Sequence, residues 1–333
     1  MAKQRNLYAD FLKGILIISV VIGHCIQYLQ CENDFSLFWN HFLFKTIYTF
    51  HMPLFMGISG YFAYFSIAKH SIKSYAISRI KYLLLPLVAW CLISVLITGL
   101  NTEMSAAAFL GKFVYAVDHY YWFIWAIIYS SMMICVMQKW SIDKPWILLV
   151  LSVLIMFAST SHLSLNIGRE YFIYFALGYM LGSHDLSKYY QFCRKYIYLI
   201  AVLFVVCYII WDPNLYFSPF TIEGWLTYLF RVFSGLVASV LFLVVMYLLY
   251  GKIKERPAIS YLSGIGQETL GIYLMQDLLI TAYKVWIMPH VSLPLPEISY
   301  IVLALLMTGL CYLMIHLLKQ NKATGFVLLG KKI

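Results

Sequence analysis

The chain has 333 residues, of which 62% are hydrophobic and 11% are charged, and its formal net charge is +10. A soluble protein carries about 25% charged residues, so this composition excludes a water-soluble globular protein and predicts an integral membrane protein. Basic loops that face anionic lipid headgroups account for the positive charge, and no nucleic-acid partner is expected.

Ten apolar stretches define the predicted elements. A helix crosses the bilayer core, about 30 Å thick, with about 20 consecutive apolar residues. Such stretches occur at roughly 7–29, 42–66, 80–100, 117–138, 145–161, 170–183, 196–211, 225–250, 266–288 and 298–318. The predicted fold is therefore all-α, a polytopic bundle of about ten transmembrane helices that forms one domain over residues 1–333.

The distribution of Lys and Arg predicts the orientation of this bundle. With the N-terminus in the cytoplasm, 18 of the 24 basic residues fall on the cytoplasmic side. These are Lys3, Arg5, Lys69, Lys73, Arg79, Lys81, Lys139, Lys144, Lys188, Arg194, Lys195, Lys252, Lys254, Arg256, Lys319, Lys322, Lys331 and Lys332. Because cytoplasmic loops are enriched in Lys and Arg, both termini are predicted to be cytoplasmic.

The first predicted helix, YADFLKGILIISVVIGHCIQYL, carries Asp10, Lys13 and His24 inside an apolar sequence. An ionisable group at bilayer depth costs about 2.5–3.5 kcal/mol, so such residues usually serve a function. Lys13 and His24 are 11 positions apart, which places them about 20° apart around the helix and about 16 Å apart along it. Together with Gln27, they form a polar stripe that is predicted to face the bundle interior.

Simpler interpretations of this stripe stay open. Lys13 can extend its side chain toward the headgroups, or it can pair with Asp10 three residues earlier. His24 can be a neutral, hydrogen-bonded structural residue instead of a reactive one. Gly14 and Gly23 flank the stripe and predict a close approach by another helix or by a ligand.

The second predicted helix contains TFHMPLFMGISGYF. Gly57, Ser59 and Gly60 form a seam of small residues that predicts close helix packing. His51 is a second imidazole in an apolar setting. A hydrogen bond between helices is favoured for His51 over a catalytic role.

The third predicted helix opens with SRIKYLLLP, which places Arg79 and Lys81 at its start. Backbone N–H groups and the helix dipole favour anions at a helix N-terminus, so two cations there could hold phosphate groups. Ordinary basic anchors at the cytoplasmic surface are an equally good interpretation.

On the predicted outer side, two segments combine aromatic rings with charge. DHYYWFIWAIIY contains His119 and Trp122, and NIGREYFIYFALGYMLG places Arg169 and Glu170 at the mouth of the sixth helix. Rings beside charged groups suit a sugar, whose apolar face stacks while its hydroxyls form hydrogen bonds. Belts of Trp and Tyr at the membrane interface are the commoner origin of such a composition.

These segments, in this order, resemble the membrane-bound acyltransferase-3 family, and within it the fucose 4-O-acetylase-type sugar O-acetylases. The similarity covers nearly the whole chain. It rests on DFLKGILIISVVIGH, FHMPLFMGISGYF, SRIKYLLLPLVAW, HYYWFIWAIIY, REYFIYFALGYMLG and LGIYLMQ. Members of this family move an acyl group from cytosolic acyl-CoA to a hydroxyl of an extracytoplasmic glycan.

The resemblance implies roles for particular residues. His24 matches the essential histidine of the family, and Lys13 matches its basic residue, usually arginine, eleven positions earlier. Arg79 matches one of a pair of arginines at the start of the third helix. The position of the second arginine holds Tyr82 here, with Lys81 adjacent, and this departs from the family pattern.

The ninth predicted helix contains LGIYLMQDLL, which buries Gln276 and Asp277 near the middle of the membrane. Polar groups at that depth are costly unless they have partners. In the resembling family this motif often ends in histidine, and Gln276 stands in its place.

The residues and the resemblance together predict an acyl-CoA-dependent O-acyltransferase, with acetyl as the default acyl group. His24 is predicted to be the general base. Asp10, on the same polar stripe, is predicted to be a second catalytic residue. A transient acyl-imidazole on His24 is the alternative mechanism. The predicted donor site comprises Lys13, Arg79, Lys81 and Tyr82. The predicted acceptor site comprises His119, Trp122, Arg169 and Glu170.

The expected partners are acyl-CoA, a glycan or lipid-linked sugar acceptor, and membrane lipid, and a homo-oligomer is compatible with the sequence. No metal site and no permanently bound cofactor are expected. The predicted location is the bacterial cytoplasmic (inner) membrane. A proton-coupled transporter or polysaccharide exporter is the alternative function, with His24, Asp277 and Glu268 as proton carriers.

Overall fold

The computed structural model describes residues 6–99, 104–158, 162–212, 221–291 and 296–331. Within these ranges every regular element is helical, which confirms the all-α prediction. Lys3, Arg5 and Lys332, which contribute to the predicted charge asymmetry, lie outside the described residues.

The α-helices of the described ranges are numbered here in chain order. They are α1 (Leu7–Cys25), α2 (Phe35–Asn40), α3 (Phe42–Ile67), α4 (Ile72–Arg79), α5 (Leu85–Gly99), α6 (Ala106–His119), α7 (Trp122–Lys139), α8 (Pro145–Leu154), α9 (Leu163–Leu181), α10 (Leu186–Lys195), α11 (Ile197–Ile210), α12 (Ile222–Ile253), α13 (Pro257–Gln267), α14 (Thr269–Ala282), α15 (Pro296–Leu318) and α16 (Lys322–Leu329). Three π-helical segments continue or join them, at Ile26–Gln30, Ile80–Leu84 and Tyr283–Ile287.

Short polar side chains begin several of these helices. The Asn6 side chain accepts a hydrogen bond from the Ala9 N–H at the start of α1. Ser71 and Thr221 cap α4 and α12 in the same way. Such caps satisfy N–H groups that have no partner within the helix, so the sequence itself determines where these helices begin.

Five helical stretches of the described chain are long and apolar enough to cross a membrane: Leu7–Gln30, Ile72–Gly99, Trp122–Lys139, Ile222–Ile253 and Glu297–Leu318. Helices α10 and α11 meet at a bend of 76°, and counting them as one span gives six. Large apolar side chains on α11, such as Val202 and Ile209, are 60% and 75% exposed. An apolar surface of this kind suits lipid as the solvent. The number of ten spans and the cytoplasmic position of the termini stay predictions.

The chain divides into two compact units. The first comprises Met1–Phe55 and Asp185–Ile315, and the second comprises Met56–His184 and His316–Ile333. In the first unit α1 packs against α13 and α14, and α11 packs against α12. In the second unit α7 packs against α4 and α9, and α5 packs against α6 and α16.

Glycines allow the closest helix contacts in both units. A Cβ atom on Gly14 would collide with the Leu262 carbonyl of α13, and one on Gly266 would collide with the Asp10 carbonyl of α1. In the second unit, a Cβ on Gly60 would meet the Phe175 carbonyl of α9. The close approaches predicted at Gly14 and at the small-residue seam are thus confirmed, with backbones nearly touching as small residues permit.

Three predicted boundaries are wrong. The stretch predicted at 117–138 contains a break, because α6 ends at His119 and α7 begins at Trp122. The stretch predicted at 170–183 is part of a longer helix, since α9 begins at Leu163. The stretch predicted at 80–100 continues a helix that begins at Ile72. In the last two cases polar residues interrupt the apolar pattern but not the helix.

Candidate functional site

His24 lies in the last turn of α1, immediately before the π-helical segment Ile26–Gln30. Its half-buried ring lies edge-on to the Tyr28 ring, with centroids 5.7 Å apart. The residues before and after it, Gly23 and Cys25, are fully buried in the first unit. The helix therefore holds His24 at the edge of a packed core, and its ring is not enclosed on all sides.

Tyr48 of α3 packs against Gly23, the residue before this histidine. A Cβ atom on Gly23 would lie 2.8 Å from the Tyr48 ring, so only glycine leaves room for it. The Tyr48 hydroxyl donates to the Gln27 side-chain oxygen at 3.4 Å, and its ring lies 4.4 Å from His51. Gly23 thus admits the side chain that joins the His24 segment to His51, which confirms the close approach predicted there.

His51 is the second imidazole of the first unit. Its Nδ1 atom lies 2.8 Å from the Ile47 carbonyl oxygen, one turn earlier in the same helix. A carbonyl only accepts, so Nδ1 carries the proton and Nε2 of the neutral ring is the acceptor. This bond lies within α3, so the hydrogen bond between helices that is predicted for His51 stays a prediction for Nε2. His51 and His24 are close enough to interact electrostatically.

Asp10 and Lys13 form an ion pair near the start of α1. Lys13 Nζ lies 2.7 Å from Asp10 Oδ1, and their side chains are 23% and 5% exposed. The predicted alternative of an i,i+3 pair is therefore confirmed. The backbone of Asp10 lies where α1 meets α13, so packing between helices holds this carboxylate in place.

The polar residues of α14 are also enclosed in the first unit. Gln276 is 1% exposed, and its Oε1 atom makes no hydrogen bond within the described residues. Asp277 is half-buried, and Glu268, which precedes α14, is 6% exposed. An unpaired buried acceptor costs about 1–3 kcal/mol, and no donor among the described residues offsets that cost at Gln276 Oε1.

Arg79 in the second unit does not lie at a helix start, which corrects the prediction for Arg79 and Lys81. The capped N-terminus is at Ser71, and the helix continues from α4 through the π-helical segment into α5. The Arg79 guanidinium lies over the Tyr75 ring, 4.5 Å from its centroid. A cation over an aromatic face is held electrostatically, so Arg79 is positioned by Tyr75 and not by a helix dipole.

The other predicted donor residues have different surroundings. Lys81 is exposed. The Tyr82 ring lies 6.3 Å from the Phe326 ring of α16, and the Tyr82 carbonyl touches Gly330. Gly330 has a φ of +59°, which glycine adopts readily. Tyr82 therefore packs against the C-terminal helix of its unit.

Two of the four predicted acceptor residues line cavities of the second unit. His119 lines an open cavity of about 660 Å³. Arg169 lines a neighbouring cavity of about 300 Å³ and donates to the Ala158 carbonyl. Tyr129 and Leu165 line both cavities, which are therefore adjacent.

Trp122 and Glu170 do not line either of these two cavities. The Trp122 ring packs against the Tyr171 ring, with centroids 5.2 Å apart. Arg169 and Glu170 lie inside α9 and not at its mouth, because this helix begins at Leu163.

The sequence prediction missed residues beside His119. Asp118, Trp125, Tyr129 and His162 line the same cavity. His162 is 44 positions from Asp118, its hydrogen-bond partner, so no local pattern could reveal the pair. The motif DHYYWFIWAIIY does contain the other three residues.

The described residues contain no group of three or more His, Cys, Asp or Glu side chains that could hold a metal ion. All seven cysteines are free thiols. The chemical groups that the two units offer are therefore imidazoles, carboxylates, cations and aromatic rings.

Comparison with known proteins identifies the family. The profile described as "Acyltransferase domain" matches residues 6–316. The nodulation protein NolL of Mesorhizobium japonicum is 29% identical over 290 residues, which cover 82% of this chain and 76% of that protein. A nodulation protein NolL of Sinorhizobium fredii is 33% identical over 190 residues, covering 55% of this chain and 50% of that protein.

No solved structure gives a significant match. The family profile nevertheless extends over most of the chain, including α1 with His24 and α9 with Arg169. The helices described above are those of an integral membrane protein. The chain therefore belongs to the Acyltransferase domain family.

Proposed function

We propose that this protein transfers an acetyl group from cytosolic acetyl-CoA to a hydroxyl of an extracytoplasmic glycan, in the cytoplasmic membrane of a bacterium. Membership of the acyltransferase family supports O-acyl transfer. The observation that carries the proposal further is the position of His24, a half-buried imidazole in an apolar helix, with its ring against Tyr28. A polar group inside an apolar membrane helix costs free energy, and a role in function explains why the residue is kept there.

The proposed chemistry uses His24 as general base. Its unprotonated ring nitrogen takes the proton of the acceptor hydroxyl, whose oxygen attacks the thioester carbonyl carbon. The C–S bond breaks, and the CoA sulfur takes the proton back from the imidazolium. The products are the acetyl ester and CoA, and the histidine returns to its starting form. In the alternative, His24 itself accepts the acetyl group before the sugar hydroxyl does.

Cationic groups are assigned to the donor. Arg79 is held over the Tyr75 ring, and a guanidinium carries the N–H donors that bind phosphate oxygens in pairs. Exposed Lys81 adds a second cation nearby in sequence. Lys13 is assigned to the thioester end, with its charge balanced by Asp10.

Acetyl-CoA binding to the purified protein tests the donor assignment. A ligand at 100 times its dissociation constant stabilises the folded state by about 2.7 kcal/mol, which raises the melting temperature. We expect acetyl-CoA to raise the melting temperature of the wild type and to raise it less in Arg79→Ala. Arg194→Ala removes a comparable cation from α10 and should keep the full shift.

Two results would contradict the proposal. If no acyl-CoA raises the melting temperature, the donor assignment fails, and proton-coupled uptake into proteoliposomes becomes the next measurement. If acetyl-CoA binds but His24→Ala still transfers acetyl groups at the wild-type rate, the assignment of the base fails.

A further inference from the structure

A second polar cluster lies in the second unit, at the C-terminal end of α6. Asp118 is its centre: Oδ1 lies 3.1 Å from His162 Nδ1, and Oδ2 lies 3.3 Å from His119 Nδ1. Asp118, His119 and His162 are called the Asp118 cluster below. The side chains of Asp118 and His119 are 27% and 26% exposed, and that of His162 is 60% exposed. The cluster is therefore accessible from outside the protein.

The hydrogen-bonding partners define the chemistry of this cluster. His119 Nδ1 lies 3.1 Å from the Tyr115 carbonyl oxygen as well as near the carboxylate. Both oxygens only accept, so Nδ1 donates and Nε2 of neutral His119 is an acceptor. A carboxylate has about four positions that accept hydrogen bonds. Asp118 accepts one hydrogen bond from His162 Nδ1, and His119 Nδ1 lies 3.3 Å from its other oxygen, so the carboxylate keeps positions that can accept from a ligand.

The surrounding backbone holds Asp118 in place. The Ser164 hydroxyl of α9 donates to the Asp118 carbonyl. The Trp125 indole N–H of α7 donates to the Val117 carbonyl at 2.8 Å. Helices α7 and α9 thus hold the α6 backbone that carries Asp118, and a site fixed before binding loses less entropy when a ligand arrives.

The cluster lines the open cavity of about 660 Å³. Two flat aromatic pairs form its walls: Tyr115 stacks on His119 at 3.8 Å, and Trp125 stacks on Tyr129 at 5.4 Å. Small-molecule sites commonly have volumes of about 300–1,000 Å³, with mostly apolar walls and a few polar groups. No Lys or Arg is among the described residues that line this cavity.

We propose that this cavity binds one neutral sugar ring of the acceptor glycan, with Asp118 accepting hydrogen bonds from two neighbouring hydroxyls. The inference rests on the proposed function. A pyranose presents hydroxyl donors at its edge and C–H groups on its face, which match the carboxylate and the aromatic walls. An anionic sugar would meet the Asp118 charge without a balancing Lys or Arg. A cationic ligand would meet a carboxylate that already accepts a hydrogen bond from His162 and has His119 Nδ1 3.3 Å from its second oxygen.

Binding of simple sugars without acyl-CoA tests the proposal separately from the transfer reaction. We would titrate the full-length purified protein calorimetrically with the methyl glycosides of glucose, galactose and fucose. Methyl glucuronide and methyl glucosaminide serve as the matched anionic and cationic probes. We expect at least one neutral glycoside to bind at least tenfold more tightly than either charged probe.

A substitution at the cluster tests the residue assignment. We expect Asp118→Asn to weaken binding of the neutral glycoside at least tenfold, while the melting-temperature shift with acetyl-CoA stays unchanged and shows that the protein is folded. Asp185→Asn is the matched control, because Asp185 caps α10 and asparagine caps equally well. This control should bind the glycoside as the wild type does.

Specific results would overturn the proposal. Equal or tighter binding of a charged probe would reject a neutral ligand, and unchanged binding in Asp118→Asn would reject the carboxylate as its partner. Absence of binding by all three neutral glycosides, while acetyl-CoA still raises the melting temperature, would reject the sugar site and leave the acyltransferase assignment intact.

Discussion

The described surroundings of His24 differ from those of a catalytic dyad, in which a second side chain holds the imidazole by a hydrogen bond. Its described ring contact is with Tyr28, whereas the nearby His51 uses Nδ1 for its own helix. His51 therefore presents Nε2 as an acceptor in its neutral form. At the scale of single residues, the first unit offers two imidazoles, of which His24 is the one predicted to react.

Replacing His24 should abolish acetyl transfer without unfolding the protein. Loss of a general base typically costs about 10²–10⁴-fold in rate. We expect a His24→Gln variant to lose at least that factor while its melting temperature stays near that of the wild type. Transfer of radiolabelled acetyl from acetyl-CoA measures the rate. His184→Gln, at an exposed position outside the proposed site, should keep wild-type activity.

The Asp10–Lys13 pair allows stability and donor binding to be separated. Lys13→Met leaves the buried Asp10 carboxylate without this cation, and we expect a loss of about 1–3 kcal/mol of unfolding free energy. Adding Asp10→Asn should restore much of that stability, because no unpaired charge stays buried.

Acetyl-CoA affinity should respond differently from stability. If Lys13 holds the donor, the double variant is stable but binds acetyl-CoA weakly, as measured by its KM. A double variant with the wild-type KM would assign Lys13 a structural role alone.

At the scale of helices, glycines determine which pairs approach closely. In Gly266→Ala the new methyl group would fall on the Asp10 carbonyl and lie 2.7 Å from the Gly14 nitrogen. Overpacking typically costs about 1–3 kcal/mol. We expect a lower melting temperature in detergent and weaker acetyl transfer, since α1 carries His24.

A matched substitution controls for the glycine change itself. Gly309 lies in α15, and its Cβ position is open space. Gly309→Ala should be neutral or stabilising by up to about 1 kcal/mol, because alanine favours helix more than glycine does. Equal melting temperatures for the two variants would contradict the role given to the contact between α1 and α13.

The same contacts show what the sequence could predict. Small residues at Gly14 and Gly60 indicated close packing, and the apolar pattern indicated helices. The partner helices could not be predicted, because Leu262 and Phe175 are far away in sequence and their contacts depend on tertiary packing. The start of α9 at Leu163 was missed because Arg169 and Glu170 interrupt its apolar pattern.

The same distinction holds for the candidate site, where single residues could be predicted but contacts between distant residues could not. His24 and Lys13 were found because charge in an apolar helix is conspicuous. The Asp118 cluster was missed because Asp118 lies near the end of α6 and His162 precedes α9, 44 positions away. The bond of His51 to Ile47 was also missed, since a side chain that bonds its own helix leaves no pattern in the sequence.

At the scale of the whole molecule, the predicted orientation can be tested by labelling. Cysteines replace Lys188 and His290, both exposed, in a Cys193→Ser background. The charge distribution places Lys188 in the cytoplasm and His290 outside. A membrane-impermeant maleimide should label the His290→Cys protein in intact cells and the Lys188→Cys protein only after permeabilisation. The reverse pattern would invert the predicted orientation.

The π-helical segments have a consequence for the length of the chain. A π turn bonds residue i to i+5 instead of i+4, so it contains one residue more than the α turn it replaces. Deleting one residue from Ile80–Leu84 should therefore leave an uninterrupted α-helix, with α5 still facing α6 and α16. A deletion in the middle of α5 has no extra residue to absorb it and would rotate the rest of that helix by about 100°. We expect the deletion in Ile80–Leu84 to keep a higher protein yield and melting temperature than the deletion in α5. That difference would show that the helices tolerate a change in length at the π-helical turns.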